Sequence, residues 1–336
     1  MCLGALVKGA GIAPDSPNIV NGDMEKSLPN EKEILSDEEI LGNVFVFMLA
    51  GHETTANTLH FGFLFLALNQ HSQGHLQRDL ESIFGDRPIE EWDYDHDLPK
   101  LFGGMAGAVM NEELRLMPPV TNIPKSTLEH SPQPMTIGER RVVVPENTLI
   151  YLATVAVHRN PNAHWPAGPQ LQAKSKHRIN DLDDFCPERW LPDRATARKG
   201  PSTPERKLDQ EDFGGPEGNV ISAALYSPPK GAYVPFSDGA RACLGRRFAQ
   251  VEILAVFAVI FRNYSIELAV DDFATDEEVE RMPKGGAERK KVWQKAAERC
   301  NHLMHYGMMT IITNQMRQGK VPVRFVKKGE ERFVFE

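Results

Sequence analysis

The longest apolar stretch of the chain, residues 44–68, carries its polar positions His52, Glu53, Thr54, Thr55, Asn57 and His60 in the middle rather than at the ends. A carboxylate at the centre of a lone spanning helix costs roughly 2.5–3.5 kcal/mol, so the stretch predicts a helix buried in protein rather than in lipid. Just upstream, Ser36-Asp37-Glu38-Glu39 has the form of a capping box, in which the serine accepts the amide three residues on and the glutamate reaches back. The helix opened there can run to about residue 69, on the order of 50 Å at about 1.5 Å per residue, and such a helix must be central. The threonine hydroxyls can bond back to carbonyls one turn earlier, which predicts a local opening of the helix.

Further elements follow from the same kind of pattern. A helical period covers residues 73–84 and ends in Gly85-Asp86-Arg87-Pro88, and a third covers 98–116 and stops before Pro118-Pro119, since a residue preceding proline disfavours the helical region. Arg141-Val142-Val143-Val144 and Thr148-Leu149-Ile150-Tyr151, set around Gly138 and Pro145, predict short strands joined by turns over 135–151. Residues 248–261 are apolar on most faces and predict another buried helix. The charged stretch 277–303 predicts a solvated helix, and 321–326 a final strand. Residues 1–35 read as an irregular lead-in, and 192–231, rich in Pro, Gly, Lys and Glu, as a loop insertion within one long unit over 36–336. The fold class is therefore mainly α with small β-sheets, an α+β arrangement.

Composition narrows what this unit can do. With 336 residues, 41% hydrophobic and 25% charged, the chain is globular and long enough to enclose a cofactor-sized cavity. A net charge of -8 excludes a phosphate-tracking surface as the global theme, and nucleic acid as a partner. Cys2, Cys186, Cys243 and Cys300 are far apart with no C-x-x-C pair, which points to a reducing compartment rather than a disulfide framework or a Cys-rich zinc site. Residues 1–13 lack the basic start, apolar run and cleavage site of a secretory signal.

Chemistry concentrates in three segments. Phe236-Ser237-Asp238-Gly239-Ala240-Arg241-Ala242-Cys243-Leu244-Gly245 sets one cysteine between two glycines, after an aromatic and an arginine, at the entry to an apolar helix. A thiolate metal ligand needs such a setting: the helix start supplies amide donors and the positive dipole end, Arg241 a cation, and the glycines a close approach to a flat cofactor. Ala50-Gly51-His52-Glu53-Thr54-Thr55 places an acid and alcohols in an apolar helical run, where they are costly unless paired. Glu112 and Arg115 lie three apart on one helix face, a spacing worth about 0.2–0.5 kcal/mol as an isolated pair.

Together these segments resemble the cytochrome P-450 family of haem-thiolate monooxygenases, most of all its fungal members. The family's haem-ligand loop F-x-x-G-x-R-x-C-x-G is matched at Phe236, Gly239, Arg241, Cys243 and Gly245. Its oxygen-binding motif (A/G)-G-x-(D/E)-T-(T/S) is matched at Ala50, Gly51, Glu53, Thr54 and Thr55. Its E-x-x-R pair falls on Glu112 and Arg115, and Phe185-Cys186-Pro187-Glu188-Arg189-Trp190 is close to its F-x-P-E-R-(F/W) segment. The resemblance implies the carboxyl-terminal portion of a cytochrome P-450 fold, with the amino-terminal part missing. It makes Cys243 the axial thiolate of haem b, iron protoporphyrin IX. By the same resemblance Arg241 and Lys125 lie near haem propionates, Ala50 and Gly51 against the cofactor, and Glu53 and Thr54 deliver protons to dioxygen. Glu112, Arg115 and Arg189 would form a buried charge network that fixes the cysteine loop, with residues 47–51 and 119–125 bordering substrate.

The implied activity is insertion of one oxygen atom from O2 into a lipophilic small molecule, a secondary metabolite by likeness to the fungal members. Electrons would come from an NADPH-dependent flavoprotein reductase, docked where Lys230, Arg241, Arg246 and Arg247 outnumber Asp238. The implied setting is the cytosolic face of the endoplasmic reticulum membrane, although the chain carries no transmembrane anchor of its own and reads as soluble. Two alternatives stay open: a family member that isomerises or dehydrates without external oxygen, and a truncated, non-catalytic remnant.

Overall fold

Ser36 accepts the Glu39 amide at 3.3 Å while the Glu39 carboxylate accepts the Ser36 amide at 2.8 Å, and this box opens helix α1, Asp37–Leu68. The computed structural model describes residues 35–163, 165–168, 180–192 and 220–334, and through them α1 is the element on which the others are arranged. The expected opening of the helix at the threonines does not occur. Thr54 donates to the Ala50 carbonyl at 2.8 Å and Thr58 to the Thr54 carbonyl at 2.9 Å, so the hydroxyls are satisfied on an uninterrupted helix.

Helix α2, Gln70–Phe84, follows Asn69 directly and starts three residues earlier than predicted. The predicted third helix is two, α3 (Tyr94–Gly103) and α4 (Met105–Leu116), broken at Gly104. The break has a long-range cause. Asp79 reaches from α2 to accept the Met105 amide at 2.8 Å, capping α4, and a Cβ on Gly104 would lie 2.5 Å from that same carboxylate oxygen.

Four short strands follow: β1 (Asn122–Ser126), β2 (Gln133–Ile137), β3 (Arg140–Val144) and β4 (Leu149–Ala153). β2 and β3 form an antiparallel hairpin around Gly138, whose φ of 60° suits glycine at the first central position of the turn. β1, which the pattern did not predict because Pro124 interrupts it, pairs antiparallel with β4 and sets Lys125 opposite Ile150. After the short helix α5 (Thr154–His158) and the cysteine loop come α6 (Arg246–Asn263), β5 (Tyr264–Leu268), α7 (Asp276–Arg281), α8 (Ala287–Tyr306), β6 (Met308–Thr310), β7 (Asn314–Met316) and β8 (Val323–Lys327). β5 pairs with β8 and β6 with β7, both antiparallel.

The core joins the second half of α1 (Phe61, Leu64, Leu66) to α2 (Leu76, Leu80) and α6 (Leu254, Phe257, Phe261). Two helices predicted as buried are buried along part of their length. In α1, Leu41, Phe45, Met48 and Leu49 are exposed, Met48 to 69%, and in α6 Phe248 is 75% exposed while Ile253, Leu254, Phe257 and Phe261 face inward. The charged stretch predicted as one solvated helix is α7 and α8, separated around Pro283 and Gly285-Gly286. α8 buries Val292, Ala296, Cys300 and Met304 at four-residue spacing. Residues 1–34 of the expected lead-in and 193–219 of the expected insertion lie outside the described residues. Among the described residues no helix is long and apolar enough to cross a membrane.

Candidate functional site

The cysteine segment folds as a tight loop that ends on α6. The Cys243 amide donates to the Phe236 carbonyl at 2.9 Å, and the Ala242 amide to the Gly239 carbonyl at 2.9 Å. Closing so short a loop needs left-handed backbone at Ser237 (φ 62°) and Gly239 (φ 78°), which explains one of its glycines. The Asp238 carboxylate accepts the Gly239 amide at 2.7 Å and steadies the turn. Gly245 then opens α6 without a side-chain cap, two residues after the cysteine.

Cys243 is exposed, whereas Cys186 is half-buried and Cys300 buried, and burial pushes both of their thiols up to about 12. None of the three is in a disulfide. Arg241 is exposed, and the guanidinium that Cys243 influences is that of Arg246: burial pulls it down and Cys243 and Asp238 push it back up. Leu244 and Phe248 beside the cysteine are exposed, as are Met48 and Leu49 beside Ala50. A Cβ at Gly51, Gly239 or Gly245 would meet nothing within 4 Å. Glycines and apolar side chains thus leave open space around the thiol loop and the middle of α1, which suits a large flat apolar group.

In the acid–alcohol segment Glu53 and Thr54 each have a separate anchor. The Glu53 carboxylate accepts from the Gln315 side-chain amide, which also donates to Thr313 Oγ1 at 3.0 Å, and Asn57 donates to the same hydroxyl at 3.1 Å. The turn and strand β7 therefore clamp the middle of α1, a contact that pattern reasoning did not find because it joins positions more than 250 residues apart. Thr54 spends its proton on the Ala50 carbonyl, which leaves its oxygen as an acceptor. Lys125 lies on β1, half-buried.

Glu112, Arg115 and Arg189 are brought together with both arginine side chains and the carboxylate fully buried. Glu112 accepts Arg115 Nε at 2.8 Å and Nη2 at 2.9 Å, Arg189 Nε at 2.9 Å, the Trp190 indole N–H at 2.9 Å and the Cys186 amide at 3.0 Å. Burial alone would raise its pKa, but the two guanidiniums hold it below the ordinary carboxylate value. Arg189 also donates to the Pro166 carbonyl at 2.6 Å and pairs with Asp181 at 3.3 Å.

His158, absent from the sequence reading, connects this network to the cysteine loop. Its Nδ1 lies 3.2 Å from the Arg115 carbonyl and its Nε2 accepts the Val234 amide at 2.8 Å, so Nδ1 carries the proton. Burial drives its pKa down to about 3, which keeps the ring neutral and the tautomer fixed. The one signal for it in the sequence is its place two residues before Asn160-Pro161, at the end of a helix. On the proposed basic face, Arg246 is buried and Arg247 is half-buried, its guanidinium 5.1 Å from the Phe102 ring centroid. Two of the four cations counted there are thus withdrawn from the surface.

The cytochrome P450 family model matches residues 19–285. A cytochrome P450 monooxygenase of Arthrobotrys oligospora is 30% identical over 233 residues, covering 69% of this chain and 36% of that protein. The cytochrome P450 monooxygenase prx9 of Penicillium rubens is 28% identical over 269 residues, covering 78% of this chain and 41% of that protein. A bifunctional cytochrome P450/NADPH–P450 reductase of Aspergillus oryzae is 28% identical over 257 residues, 76% of this chain and 19% of that protein. The chain thus spans about two-fifths or less of the length of these curated relatives. The crystal structure of a cytochrome P450, CYP102L1, superposes with a TM-score of 0.54 at 19% identity, covering 90% of this chain and 48% of that one. With the family model matching most of its length, and helices and small antiparallel sheets that superpose on a solved member, the chain belongs to the cytochrome P450 family.

Proposed function

We propose that the protein is a haem-thiolate monooxygenase that inserts one oxygen atom from O2 into a lipophilic small molecule, a secondary metabolite in keeping with its fungal relatives. Residues 36–336 act as the carboxyl-terminal part of its catalytic domain. The family implies a haem-thiolate cofactor, and we assign haem b to it, with Cys243 as the residue whose thiolate would hold its iron. One observation carries the assignment: among the described cysteines Cys243 alone is exposed, on a loop whose own amide is tied to Phe236 and whose glycines leave space for a flat group. When bound, haem with a thiolate ligand supplies the activation of dioxygen.

The chain's residues do the rest. The bond from the Cys243 amide to the Phe236 carbonyl fixes the sulfur's backbone, with Gly239 and Gly245 giving the cofactor room. Arg241 and Lys125 would hold the cofactor's carboxylates, and Ala50 and Gly51 would line its pocket. Glu53, oriented by Gln315, holds and releases a proton, and the Thr54 oxygen, free to accept because its proton is bound to the Ala50 carbonyl, relays it. Glu112, Arg115 and Arg189 are positioning residues that hold the loop's surroundings rigid. An NADPH-dependent flavoprotein reductase delivers electrons, a reading supported by relatives in which the two activities share one chain, and we place that encounter at the cytosolic face of the endoplasmic reticulum membrane by family likeness. The intact Glu53–Thr54 pair favours this reaction over isomerisation or dehydration.

The test is the carbon monoxide difference spectrum of the haem-loaded, dithionite-reduced full chain beside Cys243→Ala. A strongly red-shifted Soret band that disappears in the variant is expected. Haem uptake with the same band in both proteins would overturn Cys243 as the ligand, and no uptake at all would favour the non-catalytic remnant.

A further inference from the structure

His158 ends the short helix α5 and is fully buried against the end of α4. Its Nδ1–H donates to the Arg115 carbonyl at 3.2 Å, and its own carbonyl accepts Arg115 Nη1 at 3.4 Å. The next residue, Arg159, donates to the Leu116 carbonyl at 2.9 Å, so the end of α5 is fastened to the end of α4. The Tyr233 ring covers the imidazole, 5.1 Å away between centroids. With Nδ1 bound to α4, the neutral ring presents one acceptor, Nε2, in a fixed direction.

That nitrogen accepts the Val234 amide at 2.8 Å. Pro235 follows and has no N–H, so Val234 carries the last backbone donor before Phe236. From there the bonds continue into the loop. The peptide group between Phe236 and Ser237 donates to the Val234 carbonyl at 3.1 Å through its N–H and accepts the Cys243 amide at 2.9 Å through its carbonyl. A run of backbone hydrogen bonds therefore leads from His158 Nε2 to the residue that carries the sulfur. Beside it, the Tyr233 hydroxyl donates toward the carbonyl and Oδ1 of Asn111, each at 3.2 Å. Asn111 and Arg115 are one turn apart on α4, so the entry to the loop is tied to one side of that helix at two points.

We infer that His158 is a positioning residue for the thiolate: through Nε2 it orients the Val234 peptide and, along that run, the backbone of Cys243. The inference rests on Cys243 as the residue that holds the cofactor's iron. A rigid ring with a donor on one side and an acceptor on the other joins α4 to the loop through a single side chain. Other side chains reproduce half of this: asparagine places a donor near the Nδ1 position, and glutamine places an acceptor near the Nε2 position.

Amide hydrogen exchange of the haem-free full chain, in wild type, His158→Asn and His158→Gln, tests the run without the cofactor. In His158→Asn the amides of Val234, Ser237 and Cys243 are expected to exchange about tenfold faster, the size of one lost hydrogen bond. His158→Gln is expected to keep wild-type rates there, and α8 to stay unchanged in all three proteins. In the haem-loaded, dithionite-reduced proteins, the red-shifted carbon monoxide Soret band is expected in wild type and His158→Gln. At equal haem content, His158→Asn loses most of it to an unshifted band. Wild-type exchange or an undiminished red-shifted band in His158→Asn overturns the proposal, and so does equal loss in both variants, which reduces His158 to a filler of space. The imidazole nitrogen NMR spectrum of the wild type decides the point even where a variant does not fold, since a proton on Nε2 removes the acceptor and overturns the proposal. The expected exchange pattern without haem uptake supports the positioning role and overturns the haem reading instead.

Discussion

His158 and Glu113 are both withdrawn from water beside Arg115, and they make stability depend on pH in opposite directions. Burial holds His158 at about 3 against an ordinary value of 6.5, so its contribution is complete above pH 6.5 and is lost as pH falls toward 3, at up to about 1.4 kcal/mol per pH unit. Glu113 is fully buried, and neither of its oxygens finds a hydrogen-bond donor of good geometry among the described residues, so burial raises its pKa well above 4.5. The folded state keeps a proton there that the unfolded chain gives up above pH 4.5, and stability falls as pH rises beyond that point. Between pH 4.5 and 6.5 the two slopes oppose each other, so urea unfolding across pH 5 to 9 is expected to give a midpoint that is nearly level up to about pH 6.5 and falls toward the alkaline end. Glu113→Met raises the unfolding free energy at the alkaline end by about 1–3 kcal/mol and flattens that limb. An unchanged alkaline limb would mean that the carboxylate has a partner after all. Neither residue was legible as a special position. The three-residue spacing that marks Glu112 and Arg115 says nothing of Glu113, which is buried by contact with Gly62 on α1 and Phe257 on α6; a Cβ on Gly62 would lie 2.5 Å from its carboxylate and 3.1 Å from the Phe257 ring.

At the scale of elements, the sequence is informative where the determinant is local and silent where it is tertiary. The capping box that opens α1 and the glycine turn between β2 and β3 are complete within a few residues, and both form as written. The division between α3 and α4 depends instead on Asp79, 26 residues upstream of the amide it caps, so periodicity alone continues the helix through Gly104. Asp79→Ala is expected to lower stability by about 1 kcal/mol, the usual worth of a side-chain cap, and Asp79→Asn to retain most of it. Guanidinium denaturation of the three proteins measures the difference. Equal midpoints would show that α4 is held by packing alone. The same logic explains α7 and α8: charge along 277–303 predicts a solvated surface, but the buried stripe from Val292 to Met304 appears once α8 is laid against the rest of the chain.

For the molecule as a whole, the motifs were legible because each compresses its chemistry into ten residues or fewer, whereas what covers them was not. An apolar run predicts burial, but it does not say against what. The result is an α1 divided in two, with residues 55–67 carrying the core and Leu41, Phe45, Met48 and Leu49 exposed beside the Ala50-Gly51 segment. Local stability follows buried contacts, so amides of residues 40–52 should exchange with deuterium faster than those of 57–68 in the haem-free chain. If the exposed stretch is a cofactor wall, haem should slow exchange in 44–54 and in 236–248 together, though the two lie nearly 200 residues apart, while leaving α8 unaffected. Haem bound with protection confined to 236–248 would separate the thiolate loop from α1 and remove Glu53 and Thr54 from the chemistry. Protection of both segments at once would make them two sides of one site.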